Sequence, residues 1–205
     1  MTDQDSDPTP LVRRGYDLAG ESYTKARSEE QDLEEVECFH ELLASPAAVL
    51  DVGCGAGIPV DRCLVDLGYD VTGIDISPKQ IELARRLGPD ARFEVRNMLD
   101  LRPGEYGVDG VVSLCAVFHT PRERHKRLLA TFASFLDPGG IMLLTMGAGA
   151  YEGVEPDFHG VRMYWSHFGS EENRRLVGHA GFWIEFDEIK TRGRERHQVI
   201  IARRM

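Results

Sequence analysis

Two groups of residues in this chain have the type and spacing to do chemistry: glycines flanked by carboxylates near residue 50, and histidines from residue 119 onward. Val49-Leu50-Asp51-Val52-Gly53-Cys54-Gly55-Ala56-Gly57 joins an apolar run to a helical pattern. Glycines at such a junction remove Cβ atoms where the backbone must turn tightly and approach a ligand. The spacing is G-x-G-x-G, one residue shorter at its end than the G-x-G-x-x-G dinucleotide fingerprint. Asp51 precedes the first glycine, where its charge opposes a pyrophosphate and favours a cationic amine. Asp75 ends the next apolar run, where a carboxylate can accept from two ribose hydroxyls. Together these residues specify a ligand with a sugar and an ammonium group.

The elements that must position them alternate. Ala48–Val52, Val71–Ile76, Phe93–Val95, Val108–Leu114 and Ile141–Met146 are short apolar runs that predict five strands. Between them lie helical stripes: Val60, Cys63, Leu64 and Leu67, closed by Gly68; a helix opened by Ser77-Pro78-Lys79-Gln80 and stopped near Gly88; and a capping pattern at Thr120–Glu123 before Leu128, Leu129, Phe132 and Leu136. Ser28, with Gln31 reaching back, predicts a helix ending near Ser45-Pro46, and Ser170-Glu171-Glu172 opens one ending near Gly181. Asp137–Gly140 reads as a turn. Phe182, Ile184 and Phe186 alternate with polar neighbours and lead through a polar turn to Val199–Ala202, a closing antiparallel hairpin. The expected fold is α/β: a Rossmann-like, mostly parallel seven-stranded sheet with that terminal hairpin and helices on both faces.

The chain has 205 residues, 42% hydrophobic and 28% charged, which suits one globular domain and excludes low-complexity classes. Residues 1–9 read as a flexible N-terminus and 10–205 as a single domain. A formal charge of −10 is the wrong sign for nucleic acid or an anionic membrane, so neither is an expected partner. No apolar run approaches the roughly 20 residues that span a bilayer. Four scattered cysteines and a polar, acidic N-terminus give no sign of secretion, and a cytoplasmic monomer or homodimer is expected. The acidic run of the Ser28–Glu41 helix reads as a solvated face.

The motifs VLDVGCGAG at 49–57, VTGIDIS at 71–77, DGVVSLCAVFHTP at 109–121 and LDPGG at 136–140 resemble those of the class I S-adenosylmethionine-dependent methyltransferases, particularly the small-molecule group. The resemblance covers roughly residues 16–147, and SEENRRLVGHAGF at 170–182 is similar to their last helix and its entry to the next strand. It implies S-adenosylmethionine as cofactor, S-adenosylhomocysteine as product and a small-molecule acceptor methylated at O, N or S. Gly53, Cys54 and Gly55 would underlie the methionine part, Asp51 its amine, and Asp75 the ribose, with Ile76 and Gln80 beside it. Asn97 stands where the family usually has Asp for the adenine amine, and its side-chain oxygen can accept the same bond; Met98 is its apolar neighbour. Leu114 would offer a backbone carbonyl. Tyr16, Tyr23 and Arg27 look like a lid within an N-terminal helical segment, 10–45, with Arg27 suited to a carboxylate.

Methyl transfer from a sulfonium needs alignment and exclusion of water more than dedicated catalytic groups. A base helps when the nucleophile is a hydroxyl or thiol, and histidine suits neutral pH. His119 is the first candidate, with pocket shaping or helix capping beside Thr120 as its other reading. His167 is the second, in a 147–168 segment expected to wall the acceptor pocket through Tyr164, Trp165 and His167, unless these residues only pack locally. The irregular spacing of Asp157, His159 and His197 does not suggest a metal. Competing functions are an RNA or protein methyltransferase, a cofactor-binding protein without methyl transfer, and a nicotinamide dehydrogenase. The first is disfavoured by charge and by Ser113-Leu114-Cys115-Ala116 where base methylators carry N/D-P-P-Y; the last is disfavoured by the glycine spacing.

Overall fold

The structure is a computed structural model that describes residues 7–26, 32–43, 45–192 and 195–205. Its centre is a seven-stranded sheet. In chain order the strands are β1 (Ala48–Val52), β2 (Asp70–Asp75), β3 (Arg92–Val95), β4 (Val108–Ser113), β5 (Leu136–Gly147), β8 (Phe182–Arg192) and β9 (Glu195–Arg204), arranged β3-β2-β1-β4-β5-β9-β8. The first five are mutually parallel; β9 runs antiparallel to both β5 and β8. This is the mostly parallel sheet with a terminal hairpin that the alternation predicts.

The parallel strands read as apolar runs because both of their faces are buried. Val111, Met142 and Leu144 face one layer, with Leu128, Leu129 and Phe132 of α5 (His125–Ala133) and Leu176 and Val177 of α6 (Ser170–His179). Val112, Ile141 and Leu143 face the other, with Val36 and Phe39 of α2 (Leu33–Leu42) and Val60 and Leu64 of α3 (Val60–Asp66). Helix α4 (Pro78–Leu87) covers Phe93 of β3 through Ile81 and Ala84. No helix among the described residues is long and apolar enough to cross a membrane.

Several expectations need correcting. Thr9, placed in a flexible terminus, begins α1 (Thr9–Ala26), an 18-residue helix. The cap assigned to Ser28 and Gln31 lies outside the described residues, and α2 starts only at Leu33. Its acidic run is not wholly solvated: Glu35 is buried and pairs with Lys190 Nζ at 3.1 Å, which also holds Glu34 at 2.8 Å and so ties α2 to β8. Asp137–Gly140 is a bulged entry to β5, where the register against β4 jumps between Val108 and Gly110. Thr120 does not cap the helical turn that follows it; its hydroxyl donates back to the Val117 carbonyl at 2.7 Å and closes the preceding turn.

The segment between β5 and α6 is a separate antiparallel hairpin, β6 (Tyr151–Phe158) and β7 (Val161–His167). His159 and Gly160, at φ 51° and 85°, form its tight two-residue turn. β6 is almost entirely exposed and carries Pro156, so it lacks the alternation that marks a half-buried strand.

Candidate functional site

The site is built at the carboxyl ends of β1, β2 and β4, where open α/β sheets hold ligands. Gly53 and Gly55 turn there with φ of 89° and 56°, in the left-handed region that side chains disfavour. A Cβ on Gly53 would stand 2.3 Å from Ala116 Cβ, so only a bare backbone fits. The Gly53 and Cys54 N–H groups both donate to the Ile74 carbonyl, at 2.8 and 3.1 Å, tying the turn to β2. The Cys54 thiol lies away from the cleft, where a Cβ on Gly73 would meet it at 2.9 Å.

Asp75 is the turn's second anchor. Its Oδ2 accepts from Gly55 N–H at 3.0 Å and its Oδ1 from Ser77 N–H at 2.8 Å, while the carboxylate still lines the cleft. Burial raises its pKa to about 6 against the opposing pull of those backbone donors. Ser77 caps α4, accepting from Gln80 N–H at 3.1 Å, but Gln80 does not reach back as a capping glutamine. Ser77 N–H is already given to Asp75, and the buried Gln80 amide makes no hydrogen bond. Gln80 Oε1 faces Gly55 instead.

The cleft is open to solvent, and its enclosed part holds about 60 Å³. Val52, Gly53, Gly55, Ile74, Asp75 and Ile76 form its floor, Asn97, Met98 and Leu99 one end, and Leu114, Cys115, Ala116 and His119 the other wall. Asn97 Oδ1 accepts from Leu99 N–H at 3.0 Å and keeps one lone pair for a ligand. Cys115 holds φ 54° without being glycine, the kind of backbone strain that concentrates at ligand sites.

Helix α1 roofs the cleft. Thr9, Val12, Tyr16 and Tyr23 share one helical face and all line it. Two glycines let this helix approach closely: a Cβ on Gly15 would stand 2.7 Å from Met163 Cε, and one on Gly20 would stand 3.0 Å from Lys79 Cγ. Asp17, on the α4 side, accepts from Ser77 Oγ at 2.7 Å. The lid is thus bonded to the residue that also caps α4 beside Asp75.

His119 meets Tyr16 under that roof. Its Nδ1 lies 2.8 Å from the Tyr164 carbonyl, which can only accept, so Nδ1 carries the proton and Nε2 accepts from the Tyr16 hydroxyl, also at 2.8 Å. The rings of Trp165, Phe118 and Tyr16 lie 4.3, 5.1 and 5.3 Å away. Desolvation by this enclosure lowers the His119 pKa to about 4. The imidazole is therefore neutral and able to accept a proton throughout the pH range 5–8.

Other candidates stand elsewhere. Strand parity turns Asp51 to the opposite face from Leu50 and Val52; it is buried against Asp61, whose own pKa desolvation raises to about 6, and does not line the cleft. His167 packs on Gly147 and lies 2.5 Å from the Gly149 carbonyl. Tyr164 points its hydroxyl to Glu152 at 2.7 Å, and Trp165 backs His119. No residue of 147–168 lines the cleft; Tyr164 and Trp165 of β7 instead stand behind His119 in its wall. Arg27 lies outside the described residues. The sequence reading missed Thr9, Val12, Leu99 and Arg96; the first two repeat at helical spacing with Tyr16, a signal that was available. Arg96 pairs with Glu105 at the Asn97 end.

Comparison with known proteins agrees with this geometry. Residues 49–140, which carry the glycine turn, Asp75, Asn97 and His119, match the methyltransferase domain family. That segment, a little under half of the chain, is similar to a methyltransferase domain. The chain is 33% identical over 104 residues to the ubiquinone biosynthesis O-methyltransferase of Xanthomonas axonopodis pv. citri, covering 48% of this chain and 42% of that protein. It is 38% identical over 103 residues to the 2-methyl-6-phytyl-1,4-hydroquinone methyltransferase of a Synechocystis strain, covering 47% and 30%. The matches span less than half the length of these curated relatives. In fold, that segment and its flanks superpose on the magnesium protoporphyrin IX methyltransferase of Synechocystis, solved with bound S-adenosylmethionine, at a TM-score of 0.74 and 19% identity over 100% of both chains.

Proposed function

We propose that the protein transfers a methyl group from S-adenosylmethionine to a small-molecule acceptor, as a single domain whose α1 closes over the donor. The observation that carries this reading is the bare glycine turn whose backbone is tied to a cleft-lining carboxylate, Asp75. The residues fit the donor. Gly53 and Gly55 leave the cradle that a Cβ would fill, Asp75 keeps lone pairs for ribose hydroxyls, and Asn97 offers an acceptor to an adenine amine beside the apolar Ile76 and Met98. The carbonyl of Leu114 is a further partner for the amino-acid end. When bound, the donor supplies an electrophilic methyl on a sulfonium.

The chain's own residues align, dry and relay. Tyr16, Tyr23, Val12 and Thr9 exclude water from above, and Leu114, Cys115 and Ala116 set the wall against which the acceptor rests. His119 holds the Tyr16 hydroxyl through its Nε2 lone pair. The relatives' names, which include O-methylation and hydroquinone methylation, support a small-molecule acceptor. The excess of acidic over basic residues argues against RNA.

Incubation with methyl-labelled donor and a pool of small metabolites tests this reading. Label is expected in small molecules; label in RNA or protein, or tight donor uptake without turnover, would assign one of the competing functions. The same assay gives a pH profile. Because burial holds His119 near 4 rather than 6.5, turnover limited by this base should show no loss centred at pH 6.5 as pH falls from 8 to 5. An inflection near 6.5 that disappears in His119→Gln would contradict the enclosed state of the ring.

A further inference from the structure

Both ring nitrogens of His119 are engaged. Nδ1–H is given to the Tyr164 carbonyl and Nε2 receives the Tyr16 hydroxyl, each at 2.8 Å. An acceptor that met Nε2 directly would have to break the second bond and displace the helix that carries Tyr16. That helix is anchored on two sides, by Met163 against Gly15 and by Ser77 against Asp17. The Tyr16 ring meanwhile lines the cleft, held edge-on to Tyr23 at 5.4 Å and to Phe158 at 6.2 Å.

We propose that Tyr16, not His119, touches the acceptor: the acceptor's hydroxyl proton passes to Tyr16 Oη while Tyr16's own proton passes to His119 Nε2. This deepens the methyl-transfer reading and rests on it. The bookkeeping closes. The acceptor O–H bond breaks and an oxygen electron pair forms the new carbon–oxygen bond, while the pair of the broken carbon–sulfur bond stays on sulfur and neutralises it. The proton ends on His119, whose Nδ1–H remains bonded to Tyr164.

An imidazole in so dry an aromatic box is a weak base, and it takes the proton only as the oxygen, gaining carbon, becomes strongly acidic. The relay therefore belongs to an acceptor that must lose a proton during transfer, an uncharged hydroxyl compound. The wall agrees with this class. Among the described residues lining the cleft, the lysine and arginine side chains are represented by Arg96 alone, which lies at the Asn97 end and is paired with Glu105, so no described lining cation stands beside Tyr16 to hold an anionic acceptor. Assembly follows from the same contacts. Tyr16 reaches His119 only with α1 seated, so the relay is complete when the cleft is covered and water excluded. His119 acts through Tyr16 as a positioning residue and proton store.

The test is nitrogen-15 NMR of His119 in protein loaded with S-adenosylhomocysteine, with 4-nitrocatechol as the hydroxyl probe at about pH 5.5, where the probe is uncharged and His119 is neutral. Tyr16→Phe keeps the ring packing and removes only the hydroxyl. The expected wild-type spectrum has a protonated Nδ1 and a hydrogen-bonded Nε2. Tyr16→Phe shifts Nε2 to the position of a free unprotonated nitrogen, and 4-nitrocatechol perturbs Tyr16 in the wild type without displacing its bond to Nε2. In turnover, Tyr16→Phe lowers kcat about tenfold, with donor affinity unchanged, and adding His119→Gln costs little more, as expected for two members of one proton relay. The proposal is overturned if 4-nitrocatechol takes the place of Tyr16 on Nε2, or if Tyr16→Phe leaves both the Nε2 signal and kcat unchanged. Wild-type protein that takes up no S-adenosylhomocysteine would instead sink the methyl-transfer reading itself.

Discussion

Asp75→Ala is expected to weaken binding of S-adenosylhomocysteine by about 1.5–3 kcal/mol, the range for hydrogen bonds to a charged group, or roughly 10- to 150-fold in Kd. Asp75 is central because it works in two directions. It receives Gly55 and Ser77 N–H groups from the turn and the α4 cap, and it presents its remaining lone pairs to the cleft. Its titration adds a signature. Burial raises the folded-state pKa from 3.8 to about 6, so in the free protein this group favours folding at low pH and that contribution is lost as pH rises through 6. Donated ribose hydroxyls favour the ionised form, so affinity should be full above pH 7 and fall by up to about tenfold per pH unit below 6. Isothermal titration calorimetry of wild type, Asp75→Ala and Asp75→Asn from pH 5 to 8 checks both points. Equal affinities with equal pH dependence would remove Asp75 from the site.

Gly53→Ala should strike folding and binding together. At φ 89° a Cβ costs about 1–2 kcal/mol in backbone strain. Its position 2.3 Å from Ala116 Cβ adds an overpacking cost of about 1–3 kcal/mol, because Ala116 follows β4 in the opposite wall and cannot swing aside as a long side chain can. A loss of about 2–5 kcal/mol lowers Tm by roughly 4–20 °C in a chain of this size. Gly104→Ala is the control: its φ is 72°, yet nothing lies within 4 Å of its added Cβ, so strain acts there without a clash. Calorimetric melting should separate the two variants by the clash alone. Indistinguishable Tm values would show that the turn yields and that the close approach of Gly53 to Ala116 is not fixed.

The parallel core was legible because burial on both faces leaves mostly apolar residues in the middle of β1, β2, β4 and β5, and because glycine marks the ligand turn by its missing Cβ. The terminal hairpin was legible from the alternation of Phe182, Ile184 and Phe186. Helix α1 falls in the N-terminal helical segment expected at 10–45, but its own bounds were obscured by Gly15 and Gly20, which lower helical propensity yet are what allow it to lie against Met163 and Lys79. The β6–β7 hairpin was hidden because its outer strand faces solvent and holds Pro156. Site residues went astray where parity decides. Asp51 is one residue from the cleft-lining Val52 and faces the other layer. Tyr164, Trp165 and His167 are consecutive or nearly so in sequence, yet one points to Glu152, one backs His119 and one rests on Gly147. His119 was visible from its place after β4, but its partner Tyr16 lies 103 residues earlier and only tertiary packing brings the two together.

The most direct test of the account is a calorimetric titration of the purified protein with S-adenosylhomocysteine and, separately, with NADH at pH 7.5. Saturable heat with the nucleoside product and none with the dinucleotide is the predicted result. Saturable uptake of NADH with no response to S-adenosylhomocysteine would contradict the assignment of the glycine turn and of everything built on it.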